Sequence, residues 1–371
     1  GRARHGGVLE RASHRRAVRD EKSRFAVHLL RFGLRKRKLE SCDDAVKATA
    51  APLLGMLARA YRGLRGDEEL QLGVVAVASA LLGWKLEGAA RWAPRLAKVA
   101  LETLRRCSRF GGAPVGDGAQ GAFKMLAALL GGRSDDGYEV SLPDAQLKAV
   151  AASARAALSE AALADDDSFA STRAATYALL LAMVRRPVVV AEIYDVMDAV
   201  AELQVTSLER AERKRASAIL LKFVLTYPMG KKRMKHHLGQ LLLGLDYAYE
   251  EGRLAALDAL AAALRALPPA TVDEHGASFF AQLAMRCGNE ASAVCVVRVK
   301  DVLATLLGRV APETRAGLLR RCLDFLDAAG SEDRAAAFDA AEKLASLRLL
   351  AARVAEACAG HLDEPKLARK V

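Results

Sequence analysis

The sequence predicts an all-α protein, a superhelical stack of about seven antiparallel helix pairs. Hydrophobic residues make up 52% of the 371 residues but aromatic residues only 5%, so the apolar content is mainly alanine and leucine, which favour helices over strands. The chain exceeds what one compact core usually serves, and its apolar residues recur at helical spacing in one segment after another. Such one-sided helices need neighbours to cover their apolar faces, and a repeating stack supplies them.

Proline residues and capping patterns indicate where the helices end and begin. Pro187, Pro228 and the pair Pro268-Pro269 each follow an apolar stripe, because proline lacks the N–H donor and disfavours helix at the residue before it. Hydroxyl and carboxyl residues at capping-box spacing predict three helix starts: Ser41/Asp44, Thr206/Glu209 and Thr271/Glu274.

Pairing consecutive helices divides the chain into repeats. The predicted pairs start near seven positions: Asp43, Ala90, Pro143, Val189, Gly230, Ala270 and Pro312. Most spacings match the roughly 40–47 residues of HEAT and armadillo units, and the longest contains two Gly- and Asp-rich loops, at 111–118 and 131–136. The structural alternative is a series of four-helix-bundle domains.

The chain is predicted to consist of an N-terminal segment followed by the repeat array. Residues 1–40 are expected to form a basic N-terminal segment, helical or partly disordered, and residues 41–371 a HEAT-like repeat array. Because the sequence begins at Gly1 rather than at methionine, we expect the array to be a section of a longer solenoid.

The net charge of +12 is concentrated in two places. Residues 1–40 hold 13 Lys/Arg against 4 Asp/Glu, and residues 210–237 hold 9 against 1. Two basic patches on a mildly acidic body favour a polyanionic partner at defined positions. Few aromatic residues accompany either patch, so any RNA contact should be mainly to backbone phosphates rather than by base stacking.

The candidate contact residues fall into two groups. The first is a run that could be a nuclear or nucleolar address, an RNA contact, or the solvated face of a helix: Arg31, Arg35, Lys36, Arg37 and Lys38. The second is a cluster whose lysines, at a helix N-terminus, oppose the helix dipole: Arg213, Lys214, Arg215, Lys231, Lys232, Arg233 and Lys235. An anionic partner would remove that local cost, so the second cluster is predicted to contact RNA phosphate, with an ordinary exposed face as the alternative.

The sequence gives no support for catalysis, a metal or a cofactor. It contains no phosphate loop, zinc-protease helix, nucleophile elbow or paired-cysteine ligand set. His236 and His237 are adjacent, and adjacent helical positions point about 100° apart, so we expect them to diverge rather than share a metal. The six cysteines are expected to be reduced core thiols, and no apolar run reaches the roughly 20 residues of a membrane span, so we expect a soluble chain.

Three stretches carry a family resemblance: Ala191–Ser207, Tyr227–Arg233 and Leu245–Arg253. Over roughly residues 186–253 the sequence resembles the U3 small nucleolar RNA-associated protein 20 family. The resemblance implies a large non-catalytic HEAT-repeat scaffold of the small-subunit processome in the nucleolus, acting in small-subunit rRNA maturation. It implies pre-rRNA or snoRNA and ribosome-assembly proteins as partners, with no membrane, no small-molecule substrate and no catalytic residue to transfer.

Two other classes of function remain as alternatives. A HEAT-type protein-cargo adaptor, such as a nuclear transport receptor or a phosphatase scaffold, would share the fold. Such arrays commonly present acidic surfaces to basic cargo, whereas the basic patches here favour an anionic partner. An enzyme would require a pocket with converging acid and base groups, which no motif indicates.

Overall fold

The computed structural model describes residues 44–64, 67–83, 88–108, 112–131, 140–159, 167–185 and 189–318. These residues divide into two compact units, the first ending at Ala199 and the second starting at Val200. The predicted basic segment 1–40 lies outside the described residues, and so does most of the seventh predicted pair, of which residues 312–318 are helical.

The described residues form twelve principal helices. The first unit contains α1 (Asp44–Gly63), α2 (Glu68–Leu82), α3 (Ala93–Arg106), α4 (Asp117–Leu130), α5 (Asp144–Ala157) and α6 (Asp167–Arg185). Helix α7 (Glu192–Thr206) begins in the first unit and ends in the second. The second unit continues with α8 (Arg210–Thr226), α9 (Lys231–Leu243), α10 (Glu250–Ala266), α11 (Pro269–Asn289) and α12 (Ala293–Arg309).

Helix contacts within each unit follow a repeat of two. In the first unit α2, α4 and α6 contact one another in sequence and form one row of helices. A second row consists of α1, α3 and α5. Each helix of the second row contacts the helix of the first row that follows it in the chain. In the second unit α8, α10 and α12 pack in sequence, and α9 contacts α11. This is the arrangement of HEAT/armadillo pairs, so the predicted all-α fold is confirmed. Among the described residues the sole β feature is an isolated bridge between Ser108 and Pro114.

Alanine and leucine make the core, as the composition predicts. In α4, which lies against α2, α3 and α6, Ala119, Ala122, Leu126 and Leu129 are fully buried. Each buried leucine contributes about 1.5–3 kcal/mol, while alanine lets the helices approach closely. Three cysteines of the described residues form no disulfide, and of these Cys287 and Cys295 are buried and Cys107 is half-buried. None of the described helices combines the length and apolarity needed to cross a bilayer.

The predicted pair starts agree with the structure within three residues, but two predicted capping boxes are wrong. Thr206 is the last residue of α7, and its hydroxyl donates back to Glu202 O at 2.9 Å. Helix α11 begins at Pro269, so Thr271 lies inside it. The third predicted box includes Ser41, which lies outside the described residues.

Candidate nucleic-acid interface

The first turns of α9 carry the exposed basic residues of the second predicted cluster. Lys231 is the first residue of the helix, and Lys231, Lys232, Arg233 and Lys235 are all exposed. Gly230 precedes them in extended conformation and offers no side-chain acceptor, and the first turn contains no acidic residue. The first-turn backbone N–H groups, the positive end of the helix dipole and cationic side chains therefore coincide, which favours an anion at this end of α9.

Aromatic packing fixes this end of α9 in place. The ring of Tyr227 packs on Phe223 with centroids 4.7 Å apart, and the buried His237 ring meets Phe223 edge-on at 5.0 Å. These contacts hold the turn at residues 227–230 against the end of α8, and the four basic side chains that follow the turn are exposed to solvent. Lys231 Nζ lies 3.3 Å from Glu274 Oε1 in an exposed ion pair of small energetic weight.

The adjacent histidines behave differently from the simple angular expectation. His237 is buried and His236 is exposed, as expected of neighbours on a helix. Their ring centroids nevertheless lie only 5.0 Å apart, so the expectation that the two side chains diverge is wrong. The rings can approach because side-chain torsions, and not only the backbone direction, decide where an imidazole lies.

The start of α8 holds the other three predicted residues in a different environment. Lys214 and Arg215 are exposed, but Arg213 is half-buried and its Nη1 donates to Ser207 O at 2.7 Å and Leu208 O at 3.0 Å. Arg213 therefore closes the turn between α7 and α8. Acidic residues also lie here, because Glu209 precedes the helix and Glu212 follows in its first turn.

The structure does not bring the seven basic residues together at one point. The turn at 227–230 reverses the chain between α8 and α9, so the basic start of α9 lies beside the C-terminal end of α8. Along the axis of α8, Lys214 lies roughly 18 Å from Thr226 at 1.5 Å per residue. The first predicted group, from Arg31 to Lys38, lies outside the described residues.

A buried ionic network, which the sequence analysis missed, ties consecutive turns of the second unit together. Arg253 occupies the same place in α10 as Arg213 in α8, and its Nη1 donates to Tyr247 O at 3.0 Å and Ala248 O at 2.8 Å. Its Nε and Nη2 each donate to Glu290 at 2.9 Å. Glu290 also accepts from Arg286 at 2.7 and 2.8 Å and from Ser292 N at 2.9 Å.

Hydrogen bonding outweighs burial in setting the ionisation of this network. Burial opposes the charged form of Glu290, but bonds from the Ser292 N–H, Arg286 and Arg253 lower the pKa of this carboxyl below its usual range. Burial likewise opposes the charged form of Arg253, and the bond to Glu290 raises its pKa. The signal in the sequence is an arginine that recurs at the fourth position of a helix after a polar turn, as Arg213 in α8 and Arg253 in α10. This recurrence identifies Arg253 as a structural residue rather than an RNA contact.

Comparisons with known proteins give two curated relatives and a fold. No protein-family model matches the chain. A U3 small nucleolar RNA-associated protein 20 from Schizosaccharomyces pombe is 25% identical over 119 residues, which is 32% of this chain and 5% of the relative. The protein of that name from Saccharomyces cerevisiae is 22% identical over 140 residues, which is 38% of this chain and 6% of the relative.

A solved structure of importin beta shares the fold. It superposes with a TM-score of 0.52 and 14% identity, covering 83% of this chain and 38% of that chain. At this identity the likeness shows the helical-repeat fold alone. The two fungal relatives confirm, over about a third of the chain, the resemblance to U3 small nucleolar RNA-associated protein 20.

Proposed function

We propose that the chain is a non-catalytic scaffold in ribosome biogenesis that binds phosphates of pre-rRNA or snoRNA at the start of α9. The name that both relatives share supports a role with U3 small nucleolar RNA, and a repeat array supplies a surface for assembly proteins as well. The setting for this function would be the nucleolus, within the small-subunit processome.

The observation that carries the proposal is the charge at one helix end. Four exposed cations lie within the first five residues of α9, where the positive end of the helix dipole already attracts an anion. Lysine there costs the folded chain stability, because it opposes the dipole, and a bound phosphate would offset that cost.

The start of α9 is a better phosphate site than the start of α8. At α8, Arg213 is bonded to two backbone carbonyls, and Glu209 and Glu212 lie within the same turn. At α9 the first turn contains no acid, and the exposed pair with Glu274 is readily exchanged for a phosphate. Lys232 and Lys235 are therefore the residues we expect to contribute most.

The same site favours contact with the RNA backbone rather than with bases. Tyr227, the aromatic residue of the turn, is only 4% exposed and packs on Phe223, so its face cannot stack on a base. Lysine binds phosphate as a point charge without reading sequence. We therefore expect affinity for structured RNA with little dependence on its sequence.

A salt titration with matched charge variants tests the proposal. The wild-type chain should bind a structured rRNA fragment with an affinity that falls as salt is added. A plot of the logarithm of the association constant against the logarithm of the salt concentration should have a slope of roughly −0.7 to −0.9 per neutralised phosphate. The double variant Lys232→Glu/Lys235→Glu should bind on the order of tenfold or more weakly than wild type. Its salt-dependence slope should be smaller in magnitude by about 2. The control Lys214→Glu/Arg215→Glu makes the same change in net charge at the other end of α8 and should keep most of the binding.

Three results would contradict the proposal. They are the absence of RNA binding by the wild-type chain, binding that does not respond to salt, and equal losses in the two double variants. Equal losses would mean that net charge, and not the start of α9, attracts the RNA. Capture of basic protein cargo without any RNA binding would instead support the cargo-adaptor function.

A further inference from the structure

The exposed apolar side chains of the described residues are not scattered. Six of the eight large ones lie in the second unit, within or beside the turns that join α7 to α8, α9 to α10 and α11 to α12. We name this set the turn edge: Leu208, Leu243, Tyr249, Met285, Val294 and Val297. Single exposed apolar residues are ordinary, whereas a contiguous group indicates a binding surface.

Contacts between consecutive turns join the three segments that carry the turn edge. A Cβ at Gly252 would lie 2.5 Å from Val205 O and would also clash with the Tyr247 ring, so the start of α10 rests directly on the end of α7. Arg253 then joins the second turn to the third through Glu290. Arg286, beside Met285, reaches Asp246 at 3.7 Å and so links the end of α11 to the second turn.

Acidic residues lie among the apolar ones at the centre of this edge. Glu250 and Glu251 are exposed and follow Tyr249 directly, while Asp246 precedes it and is shared with Arg286. The nearby arginines Arg253 and Arg286 are engaged with Glu290. Exposed cations are found at the first turn, where Arg210 and Lys214 flank Leu208. The middle of the edge therefore presents apolar side chains and carboxylates, which is unfavourable for RNA.

The turn edge is also separate from the proposed phosphate site. Helix α9 begins with Lys231 and ends with Leu243, so its 13 residues place the two surfaces roughly 20 Å apart at 1.5 Å per residue. One helix thus has a cationic end and an apolar, acid-flanked end. We infer that the turn edge docks a segment of a partner protein in which apolar side chains alternate with lysine or arginine.

The chemistry of this edge fits such a segment. Tyr249 and the two exposed valines of α12 supply apolar anchors, and aromatic residues commonly dominate binding energy at interfaces. Glu250 and Glu251 supply charge complementarity that selects a basic segment and disfavours an acidic one. The partner surface does not depend on RNA binding, so the two proposals can fail separately.

Three synthetic peptides with fluorescent labels test this inference by anisotropy with the full chain. One alternates leucine with lysine, the second alternates leucine with glutamate, and the third alternates serine with lysine. We expect the leucine–lysine peptide alone to bind well. The variant Tyr249→Ser/Val297→Ser, called the turn-edge variant, should bind the leucine–lysine peptide at least tenfold more weakly than wild type. The variant Glu250→Lys/Glu251→Lys should instead prefer the leucine–glutamate peptide. The control Met56→Ser changes an exposed apolar residue of the first unit and should have no effect.

Several outcomes would overturn the inference. Equal binding of the serine–lysine peptide would show that charge alone acts, and unchanged binding by the turn-edge variant would place the site elsewhere. A monomer–dimer shift caused by the turn-edge variant in sedimentation would make a second copy of the chain the occupant. Structured RNA should bind the turn-edge variant as it binds wild type, and a loss of RNA affinity there would assign the edge to RNA instead. Thermal unfolding of each variant confirms that these exposed substitutions leave the fold intact.

Discussion

Glu290 is a carboxylate whose side chain is 1% exposed and which is held by two arginines. Desolvating three charges costs energy, and only the complete set of hydrogen bonds offsets it. Removing the central charge leaves Arg253 without its acidic partner inside the protein. The network therefore makes the junction of the second and third turns sensitive to single substitutions.

The variant Glu290→Gln should lower the free energy of unfolding by about 3–5 kcal/mol, the usual cost of breaking a buried ion pair from one side. Chemical denaturation measures this change. The comparison is Asp258→Asn, which removes the exposed partner of Arg298 and should cost about 0–1 kcal/mol. Similar costs for both variants would show that the buried network has no special weight.

The lowered pKa of Glu290 predicts a particular pH dependence. In the unfolded chain a glutamate titrates near pH 4.3, so its contribution to stability is complete well above that pH and is lost as pH falls through the lower folded-state pKa. The difference in unfolding free energy between wild type and Glu290→Gln should therefore shrink as pH is lowered below about 4.3. A difference that stays constant down to pH 2 would contradict the assignment.

Gly252 is required by close approach, since any Cβ there would enter the space of Val205 O and the Tyr247 ring. Gly252→Ala should destabilise the chain by about 1–3 kcal/mol, because a backbone oxygen cannot move aside as a flexible side chain can. Gly239→Ala is the matched control inside α9, where nothing lies within 4 Å, and it should stabilise by about 0.5–1 kcal/mol through helix propensity. Thermal or chemical unfolding distinguishes the two signs.

At the scale of elements, the apolar stripes and prolines predicted the helix pairs well. Pro228 and Pro268 fall between helices as expected, because proline lacks the N–H donor that a helix interior needs, although Pro52 is accommodated inside α1. The capping boxes failed for a physical reason. Which hydroxyl caps a helix depends on where the preceding helix stops, and the sequence spacing alone does not determine this.

Ser207, one residue beyond the predicted cap, fastens the turn that precedes α8, whose N-cap residue Glu209 makes no side-chain capping bond. The Ser207 hydroxyl accepts from Glu209 N at 3.2 Å and donates to Glu212 Oε2 at 2.5 Å. Ser207→Ala removes both hydrogen bonds and should therefore cost about 1 kcal/mol of stability. Thr206→Ala removes only a bond back to Glu202 within α7 and should change stability by no more than about 0.5 kcal/mol. The reverse order of these two costs would show that the hydroxyl of Thr206, and not that of Ser207, stabilises this turn.

The candidate site was predicted in part for a related reason. The sequence identified all four exposed cations of α9, since runs of lysine and arginine are rarely buried. It could not show that Arg213 serves a turn, because the carbonyls of Ser207 and Leu208 come within reach of its guanidinium only once residues 207–209 adopt the turn before α8. Nor could the sequence show that residues 213–215 lie at the N-terminal end of α8, whereas residues 231–235 of α9 lie beside its C-terminal end.

At the scale of the whole molecule, the position of charge should matter more than the net charge of +12. The screening length is about 8 Å at 0.15 M salt and about 30 Å at 0.01 M. The two ends of α8 are roughly 18 Å apart, which lies between these lengths. At physiological salt, a phosphate at the start of α9 is therefore screened from Lys214 and Arg215. At low salt these two residues attract it electrostatically.

This predicts that the two charge-reversal variants converge as salt is removed. At about 0.15 M salt, Lys232→Glu/Lys235→Glu should bind structured RNA much more weakly than Lys214→Glu/Arg215→Glu, because direct contacts dominate over screened fields. At about 0.01 M salt the ratio of their Kd values should narrow, because both reversals then lower the same long-range potential. A ratio that is independent of salt would mean that screening does not separate the two ends, and a ratio near one throughout would assign RNA attraction to the molecule's total charge.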